Sequence, residues 1–210
     1  MRKGTGIVCI FLGVLCLLGA LALVGYNRWE SRNAEATTRT FVESVRQSME
    51  EGGSRVSQSE GAEQTGEEET GISDPISVPD HMPTIEVDGY DCIGILSVPV
   101  LELELPVLTP WSYTKLRKAP CHYYGSYYEK DFVIAAHNYP SHFGRLGELQ
   151  PGDLVVFTDV NGEVYPYEVV LLETLPPEAT EEMITSGFDL SLYTCTAGGG
   201  SRVTVRCNRK

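Results

Sequence analysis

Three kinds of side chain that together can catalyse acyl transfer occur near predicted strand ends in the second half of the chain. A cysteine is a nucleophile only as its thiolate, so Cys195 needs a basic or cationic neighbour. His137 can be that neighbour and can also protonate a leaving amine. An arginine, either Arg202 or Arg206, can stabilise the oxyanion that develops during acyl transfer. The simpler alternatives are a small buried thiol for the cysteine and a turn residue for the histidine.

The position of the arginine is not settled by the strand pattern. Side chains two residues apart on a strand point to the same face of the sheet. Arg202 and Arg206 therefore share one face of the predicted strand 202–207, while Val203 and Val205 share the other. Alternation along the strand leaves both arginines as candidates.

Short strands between glycine and proline turns must position these residues. Leu101–Val107 alternates between apolar and polar side chains, which predicts a half-buried strand. Asn161-Gly162 predicts a tight hairpin between two further strands. Leu190–Cys195 and Arg202–Cys207 are predicted as the last two strands, joined by a run of three glycines. Many short strands with little helix predict an all-β sandwich or barrel over residues 81–210.

Residues 1–27 are predicted to form an N-terminal membrane anchor. Ile7–Tyr26 contains no charged residue, and its length matches a hydrocarbon core of ~30 Å. The stretch is long for the apolar region of a cleaved signal peptide, which is one alternative; a buried core helix is the other. Because few residues precede the stretch, we expect a single-pass protein of the cell membrane with its catalytic domain outside.

Residues 28–80 are predicted to be a juxtamembrane helix followed by an acidic, flexible stalk. Phe41, Val45 and Met49 recur at intervals of four, which indicates a helix with a narrow apolar stripe, expected to have no partner. Gly52–Asp80 is nearly free of large apolar side chains, so it cannot bury enough surface to offset the entropy of ordering.

The composition excludes several classes of function. A net charge of −13 leaves no basic stripe for nucleic acid. The hydrophobic fraction of 42% argues against a wholly disordered chain. Six cysteines are too few for a disulfide scaffold, and four histidines leave little room for a multi-histidine metal site.

The sequence around the candidate residues resembles the sortase family. Leu192–Cys195 reads Leu-Tyr-Thr-Cys and, with Ser201–Arg206 after it, resembles the family's Thr-Leu-x-Thr-Cys signature followed by an arginine strand. Ile134–Asn138, which reads Ile-Ala-Ala-His-Asn, resembles the family's histidine strand, and Phe143–Asp153 resembles the segment after it. Tyr90–Val107 is similar to the family's opening strands. The resemblance therefore extends, in order, along the whole predicted β-domain.

This resemblance implies a closed eight-stranded β-barrel and a transpeptidation reaction. Cys195 would attack a Thr–Gly-type bond in an LPxTG-like C-terminal sorting signal of a secreted protein and form a thioester. An amine of a cell-wall precursor or of a pilin lysine would then resolve the thioester. His137 would protonate the leaving group and later deprotonate the incoming amine.

The resemblance also implies roles for neighbouring residues. The family's arginine lies at the start of the last strand, which corresponds to Arg202, so Arg206 is expected to belong to a solvated basic end of the chain. Ser191 stands where the family has the first threonine of its cysteine motif, and it keeps a hydroxyl. We expect Ser191, Thr194 and Asn138 to contact the substrate.

No cofactor and no metal site are expected. Some sortases bind Ca²⁺ near the connection that corresponds to residues 174–189, and clustered carboxylates suit this cation. A run of charges is more often a solvated surface, and we interpret the carboxylates here in that way. They are Glu173, Glu178, Glu181 and Glu182. The connection is also too short for the long inserted helix of class B sortases.

The cysteines of the β-domain other than Cys195 are expected to be free. Cys92 and Cys121 could form a disulfide in an exported domain, but free buried thiols are the favoured interpretation. Cys207 lies on the opposite strand face from Arg202 and is expected in the core.

Two other functions fit parts of this pattern: a non-enzymatic, anchored β-domain that binds surface proteins, and a hydrolytic cysteine protease on a related barrel. Reaction of Cys195 with a thiol-directed probe distinguishes an enzyme from a binding module. Ligation of an added amine distinguishes a transpeptidase from a protease. The expected partners are proteins with sorting signals, an amine acceptor in the cell wall or a pilin, and the membrane.

Overall fold

The computed structural model describes residues 12–22, 40–50, 82–196 and 198–210. The first two segments are helical and are named α1 and α2. Within these four segments, no helix is both long enough and apolar enough to cross a membrane. Much of the predicted anchor, and all of the predicted stalk Gly52–Asp80, lie outside the described residues.

Strands dominate the described residues from 82 onward. They are β1 (Ile85–Val87), β2 (Tyr90–Val98), β3 (Leu103–Thr109), β4 (Cys121–Tyr124), β5 (Phe132–Ala136), β6 (Leu154–Asp159), β7 (Val164–Leu175), β8 (Leu190–Cys195) and β9 (Arg202–Arg209). Two short helices, α3 (Tyr113–Leu116) and α4 (Thr180–Ile184), lie between strands, and 3-10 turns cover Pro99–Leu101 and Leu146–Glu148. The prediction of an all-β domain is confirmed.

Eight of the described strands close into a barrel. Their order is β2-β3-β4-β5-β8-β9-β7-β6, and β6 pairs back to β2, while β1 pairs with β2 at the outer edge. Most neighbours are antiparallel, but β3 with β4 and β5 with β8 are parallel. The expected closed eight-stranded barrel is therefore confirmed for the described residues.

Alternate side chains fill the interior of the barrel. Leu103, Leu105 and Val107 of β3 belong to the main buried cluster, as the apolar–polar alternation predicts. Phe132 and Phe157 meet edge to face inside the barrel, with ring centroids 5.2 Å apart. This packing leaves every second strand residue on the outer surface, where a site for a large substrate can form.

The hairpin predicted at Asn161-Gly162 joins β6 to β7. Asp159 Oδ1 accepts hydrogen bonds of 2.9 Å from the backbone N–H groups of Asn161 and Glu163. Gly162 has a φ of 83°, in the left-handed region that favours glycine. The turn is therefore confirmed; the Asp159 side chain adds to two backbone hydrogen bonds of 3.0 Å, from Asp159 N–H to Glu163 O and from Gly162 N–H to Asp159 O.

Helix α2 packs against the outside of the barrel, so the expectation that this segment has no partner is wrong. Phe41 and Val45 are buried in an apolar cluster shared with outward-facing residues of β2 and β3. The Phe41 ring meets the Tyr90 ring edge to face at 6.3 Å, and Arg46 forms an ion pair with Glu104. Periodicity revealed the apolar stripe, but the surface that receives it exists only once the strands are paired.

We expect Val45→Ala to lower the free energy of unfolding by about 1–2 kcal/mol. The substitution leaves a cavity at a fully buried site, and the better helix propensity of alanine offsets part of the loss. Denaturant unfolding at 25 °C measures the effect, with Glu43→Ala on the exposed face of α2 as the matched control. Equal stability of the wild type and both variants would show that α2 is not docked in solution.

Candidate active site

Strand register brings His137, Cys195 and Arg202 into one row that crosses the neighbouring strands β5, β8 and β9, with His137 directly after the end of β5. β5 and β8 are parallel, with Ala136 paired to Thr194. The next residues, His137 and Cys195, therefore lie at the same level. β8 and β9 are antiparallel, and Cys195 pairs directly with Arg202. Because neighbouring strands are ~4.8 Å apart, the backbone of Cys195 lies about one strand spacing from each of the other two.

The row faces the outside of the barrel. Val203 packs against the interior cluster, so Arg202, one residue earlier, points outward. Cys195 is exposed, and His137 and Arg202 are partly buried. A nucleophile, a proton carrier and a fixed cation are therefore accessible together to a chain bound on the outer surface.

Tyr193 packs beside Arg202. The Arg202 Cζ atom lies 5.7 Å from the centroid of the Tyr193 ring, a cation–π arrangement. The Tyr193 ring in turn meets Tyr123 edge to face at 5.5 Å, and Trp111 meets Tyr123 at 6.0 Å. Burial raises the pKa of Tyr193, so its phenol stays neutral near pH 7. Sequence reasoning missed Tyr193, although its position two residues before Cys195 put it on the same strand face.

The turn between β8 and β9 keeps Cys195 and Arg202 opposite each other. The Thr196 backbone N–H donates to Ser201 O at 2.8 Å, and the Ser201 N–H donates to Thr196 Oγ1 at 3.1 Å. Gly199, with a φ of 74°, donates to Thr196 O at 2.8 Å. Thr196 and Ser201 therefore fix the register of the turn, a role that the sequence motif did not reveal.

A compact loop follows His137 and returns on the end of β5. The Phe143 N–H donates to His137 O at 3.1 Å, and the rings of His137 and Tyr139 lie 5.1 Å apart. A Cβ atom at Gly144 would lie 2.5 Å from the backbone oxygen of Asn138, so the loop needs glycine there. His137 is therefore held at the start of a compact, hydrogen-bonded loop.

The other described histidines, His122 and His142, are desolvated by the packing around them. His142 is fully buried, and burial, followed by the nearby His137, lowers the pKa of His142 to about 4. Burial also lowers the pKa of His122, whose Nε2 lies 2.7 Å from Gly125 O. Among the described residues, His137 is therefore the histidine that the register places beside Cys195.

Arg206 is buried, so the prediction that it belongs to a solvated basic end is wrong. Only 1% of its surface is exposed, and it donates to Glu173 Oε1 at 2.7 Å and to Ser191 Oγ at 2.8 Å. It lies four residues beyond Arg202 on β9, or ~13 Å along the strand from the row. Both arginines face outward, as alternation requires, but α4 covers only Arg206. Arg202 is therefore the arginine opposite Cys195.

The three residues predicted to contact substrate lie in different environments. Asn138 is exposed in the loop after β5. Thr194 is buried because it alternates with the outward-facing Cys195. Ser191 faces outward but is fully buried beneath Arg206, to which it offers its hydroxyl oxygen. The expectation is corrected for Thr194 and Ser191, whose hydroxyls are not available to a peptide on the surface.

Cys92, Cys121 and Cys207 are free and buried, as predicted. Cys92 and Cys121 both pair with Leu108, from opposite sides, so a whole strand separates the two sulfurs. Burial raises the pKa of Cys92 and of Cys121 to about 11, and that of Cys207 to about 12. These thiols stay protonated near neutral pH, whereas Cys195 is exposed to solvent.

The carboxylates near the connection from β7 to β8 lie in two kinds of surroundings. Glu173 is engaged by Arg206 at 2.7 Å. The other three, Glu178, Glu181 and Glu182, are exposed. In the part of the chain that the structure describes, no group of three or more His, Cys, Asp or Glu side chains is placed to hold a metal ion.

A family model of the sortase domain matches residues 96–210, which is more than half of the chain. No curated protein sequence matches the chain.

Similar solved structures are sortases. Sortase A from Corynebacterium diphtheriae is 24% identical, with a TM-score of 0.52, and the match covers 58% of this chain and 61% of that chain. At this identity the likeness shows the fold alone. Sortase C1 from Streptococcus suis is 29% identical over 57% of this chain and 73% of that one, with a TM-score of 0.50. A pilus-related sortase C of Group B Streptococcus is 28% identical over 60% of this chain and 69% of that one, with a TM-score of 0.52.

We expect a small thiol reagent at about pH 7.5 to modify Cys195 while leaving Cys92, Cys121 and Cys207 unmodified in the native protein. A thiol with a pKa of about 11 is less than about 0.1% thiolate at that pH, and burial also blocks access. Peptide mapping by mass spectrometry measures each site separately, and the denatured protein is the control in which all four react. Modification of the buried thiols at the rate of Cys195 would contradict the packing described here.

Proposed function

Because the chain belongs to the sortase family, we propose that it is a cysteine transpeptidase that cleaves an LPxTG-like C-terminal sorting signal of secreted proteins and joins them to an amine of the cell wall or of a pilin. The observation that carries this proposal is the row formed by His137, Cys195 and Arg202. The row places a nucleophile between a proton carrier and a cation on an outward-facing surface.

In the first half-reaction, the Cys195 thiolate attacks the carbonyl carbon of the scissile peptide bond. The Arg202 guanidinium stabilises the negative charge that develops on the carbonyl oxygen. This guanidinium stacks over the Tyr193 ring. His137 donates a proton to the leaving amine as the carbon–nitrogen bond breaks. The products are a thioester on Cys195 and the released C-terminal fragment.

In the second half-reaction, a primary amine attacks the thioester carbonyl. His137, now neutral, accepts a proton from the attacking nitrogen, and Arg202 again stabilises the oxyanion. The carbon–sulfur bond breaks, and the Cys195 thiolate is restored. The new amide bond joins the secreted protein to its acceptor, with no net change in protonation of the enzyme.

We place the enzyme at the cell membrane with the barrel outside. The uncharged stretch Ile7–Tyr26 supports a single anchor, and the acidic residues that follow support a spacer between membrane and barrel. Both proposed substrates are found outside the cell. The likeness to a pilus-related sortase C supports a pilin amine among the acceptors, beside an amine of a cell-wall precursor.

We expect Cys195→Ala to abolish both cleavage and ligation while leaving the fold intact. Cys195 is exposed, so its loss leaves no cavity, whereas removing a covalent nucleophile costs several orders of magnitude in rate. A library of sorting-signal peptides with an added primary amine, followed by mass spectrometry, detects the ligated product.

An acid-quenched sample of the wild type should also contain a thioester at Cys195. Product formation by Cys195→Ala at a rate near that of the wild type would refute the mechanism. Hydrolysis without ligation at a high amine concentration would instead identify a protease, and no covalent adduct with any peptide would identify a binding module.

We expect Arg202→Lys to lower kcat/KM about 100-fold, as for the loss of one oxyanion donor. Lysine keeps the charge but cannot reproduce the planar pair of donors or the stacking on Tyr193. Arg117→Lys, at an exposed position after α3, is the matched control and should have little effect. Unchanged melting temperatures establish that any rate loss is chemical, and wild-type activity of folded Arg202→Lys would remove Arg202 from the mechanism.

A further inference from the structure

The β7–β8 connection (residues 176–189) forms a wall on the outer surface of the barrel, over the strands that lead to the catalytic row. Met183, in α4 of this connection, belongs to the same buried apolar cluster as Val133, Ala135 and Tyr193, which are outward-facing residues of β5 and β8. Ile184 packs against that cluster as well. A peptide that extends from the row along the outer faces of β5 and β8 therefore meets α4.

Arg206 donates hydrogen bonds to backbone carbonyls of α4. Its Nη2 donates to Glu182 O at 2.7 Å, and its Nη1 lies 3.3 Å from Met183 O as a donor. The last carbonyls of a helix have no partner within the helix, so the guanidinium satisfies groups that α4 would otherwise leave open. The same side chain is tied to β7 through Glu173 and to β8 through Ser191.

A second anchor fixes the far end of the connection. Asp131, which precedes β5, accepts hydrogen bonds from the Ser186 N–H at 2.7 Å, the Ser186 hydroxyl at 2.8 Å and the Gly187 N–H at 2.8 Å. The connection is thus attached to the strand that precedes His137 and to the strand that carries Arg202. Its position is coupled to the row through the barrel itself.

The contacts of Arg206 require a guanidinium group. A buried charge is tolerated only where its hydrogen-bonding groups are satisfied, and Arg206 is 1% exposed with acceptors from two strands and one helix. Lysine is a single point donor on a flexible stem and cannot bridge Glu173, Ser191 and the carbonyls of α4 together. Loss of this bridge therefore frees the carbonyls of α4, while the backbone pairing of β9 with β7 and β8 is kept.

We propose that Arg206 is a positioning residue for substrate recognition, which sets the place of α4 and so the wall that a bound sorting-signal peptide contacts. This inference rests on the proposed transpeptidase function. Arg206 lies ~13 Å along β9 from Arg202 and acts only through the connection. Its removal therefore affects the binding of peptide and spares the chemistry at Cys195.

The test compares Arg206→Lys with Arg209→Lys in the full chain. Arg209 is a second arginine of β9; its side chain donates to the backbone carbonyl of Tyr127 and stacks on Tyr165 at 5.3 Å, and both of these partners lie outside α4. We expect Arg206→Lys to raise KM for the peptide about tenfold, or ~1.4 kcal/mol, with kcat changed less than about twofold. Arg209→Lys should leave KM unchanged.

A merely structural role gives a different result. It would lower the fraction of folded enzyme, which reduces kcat and leaves KM as in the wild type, and that outcome overturns the proposal. The rate at which a small thiol reagent modifies Cys195 should be equal in the wild type and in Arg206→Lys, since this reaction needs no wall. A slower rate in the variant would also overturn it.

Two further measurements keep the test decisive. If Arg206→Lys does not fold, Glu173→Gln weakens the same bridge at a partly exposed residue, and it should raise KM in the same direction; an unchanged KM overturns the proposal. Hydrogen exchange over residues 180–187 needs no turnover. Faster exchange there in the variant supports the anchoring, and unchanged exchange refutes it, even if the wild type forms no thioester and the transpeptidase function itself fails.

Discussion

The parallel pairing of β5 with β8, with Ala136 opposite Thr194, is the constraint on which the rest of the structure depends. It brings the residue after β5 level with the last residue of β8, and the antiparallel pairing of β8 with β9 extends the same row to Arg202. A slip of one residue in either pairing would break the row, because the side-chain period of a strand is two and the slipped strand would turn its member of the row inward. Closure of the barrel and the Thr196–Ser201 turn prevent such a slip.

The outer face of β9 shows how one strand pattern serves two purposes. Arg202 and Arg206 have the same residue type and the same orientation, yet Arg202 is partly exposed beside Cys195 and Arg206 is buried beneath α4. The difference lies in what covers each residue. The burial of Arg206 is tolerated because β7, β8 and α4 all supply acceptors. The same contacts attach a loop with one helical turn to the barrel.

Burial also separates reactive from inert groups of the same kind. Cys92, Cys121 and Cys207 lie within the packed strands, where desolvation keeps their thiols protonated, and Cys195 is exposed. His142 is desolvated and neutral within five residues of His137. The chemistry of the site thus comes from a few polar side chains left at the surface of a scaffold that buries the others.

The sequence by itself determined the all-β class, the hairpin at Asn161-Gly162, the free buried thiols, and Cys195 and His137 as candidate nucleophile and base, because alternation, turn residues and the cysteine motif are local signals. Alternation left both Arg202 and Arg206 open; the resemblance to the sortase family favoured Arg202, and the strand register places it opposite Cys195. Three features were decided only by the tertiary structure: the docking of α2, the burial of Arg206 with Ser191, and the support of Arg202 by Tyr193. Each depends on which distant segment covers an outward-facing residue. Strand parity gives the face of a side chain, but burial on that face is set by contacts between residues far apart in the chain, which no local pattern encodes.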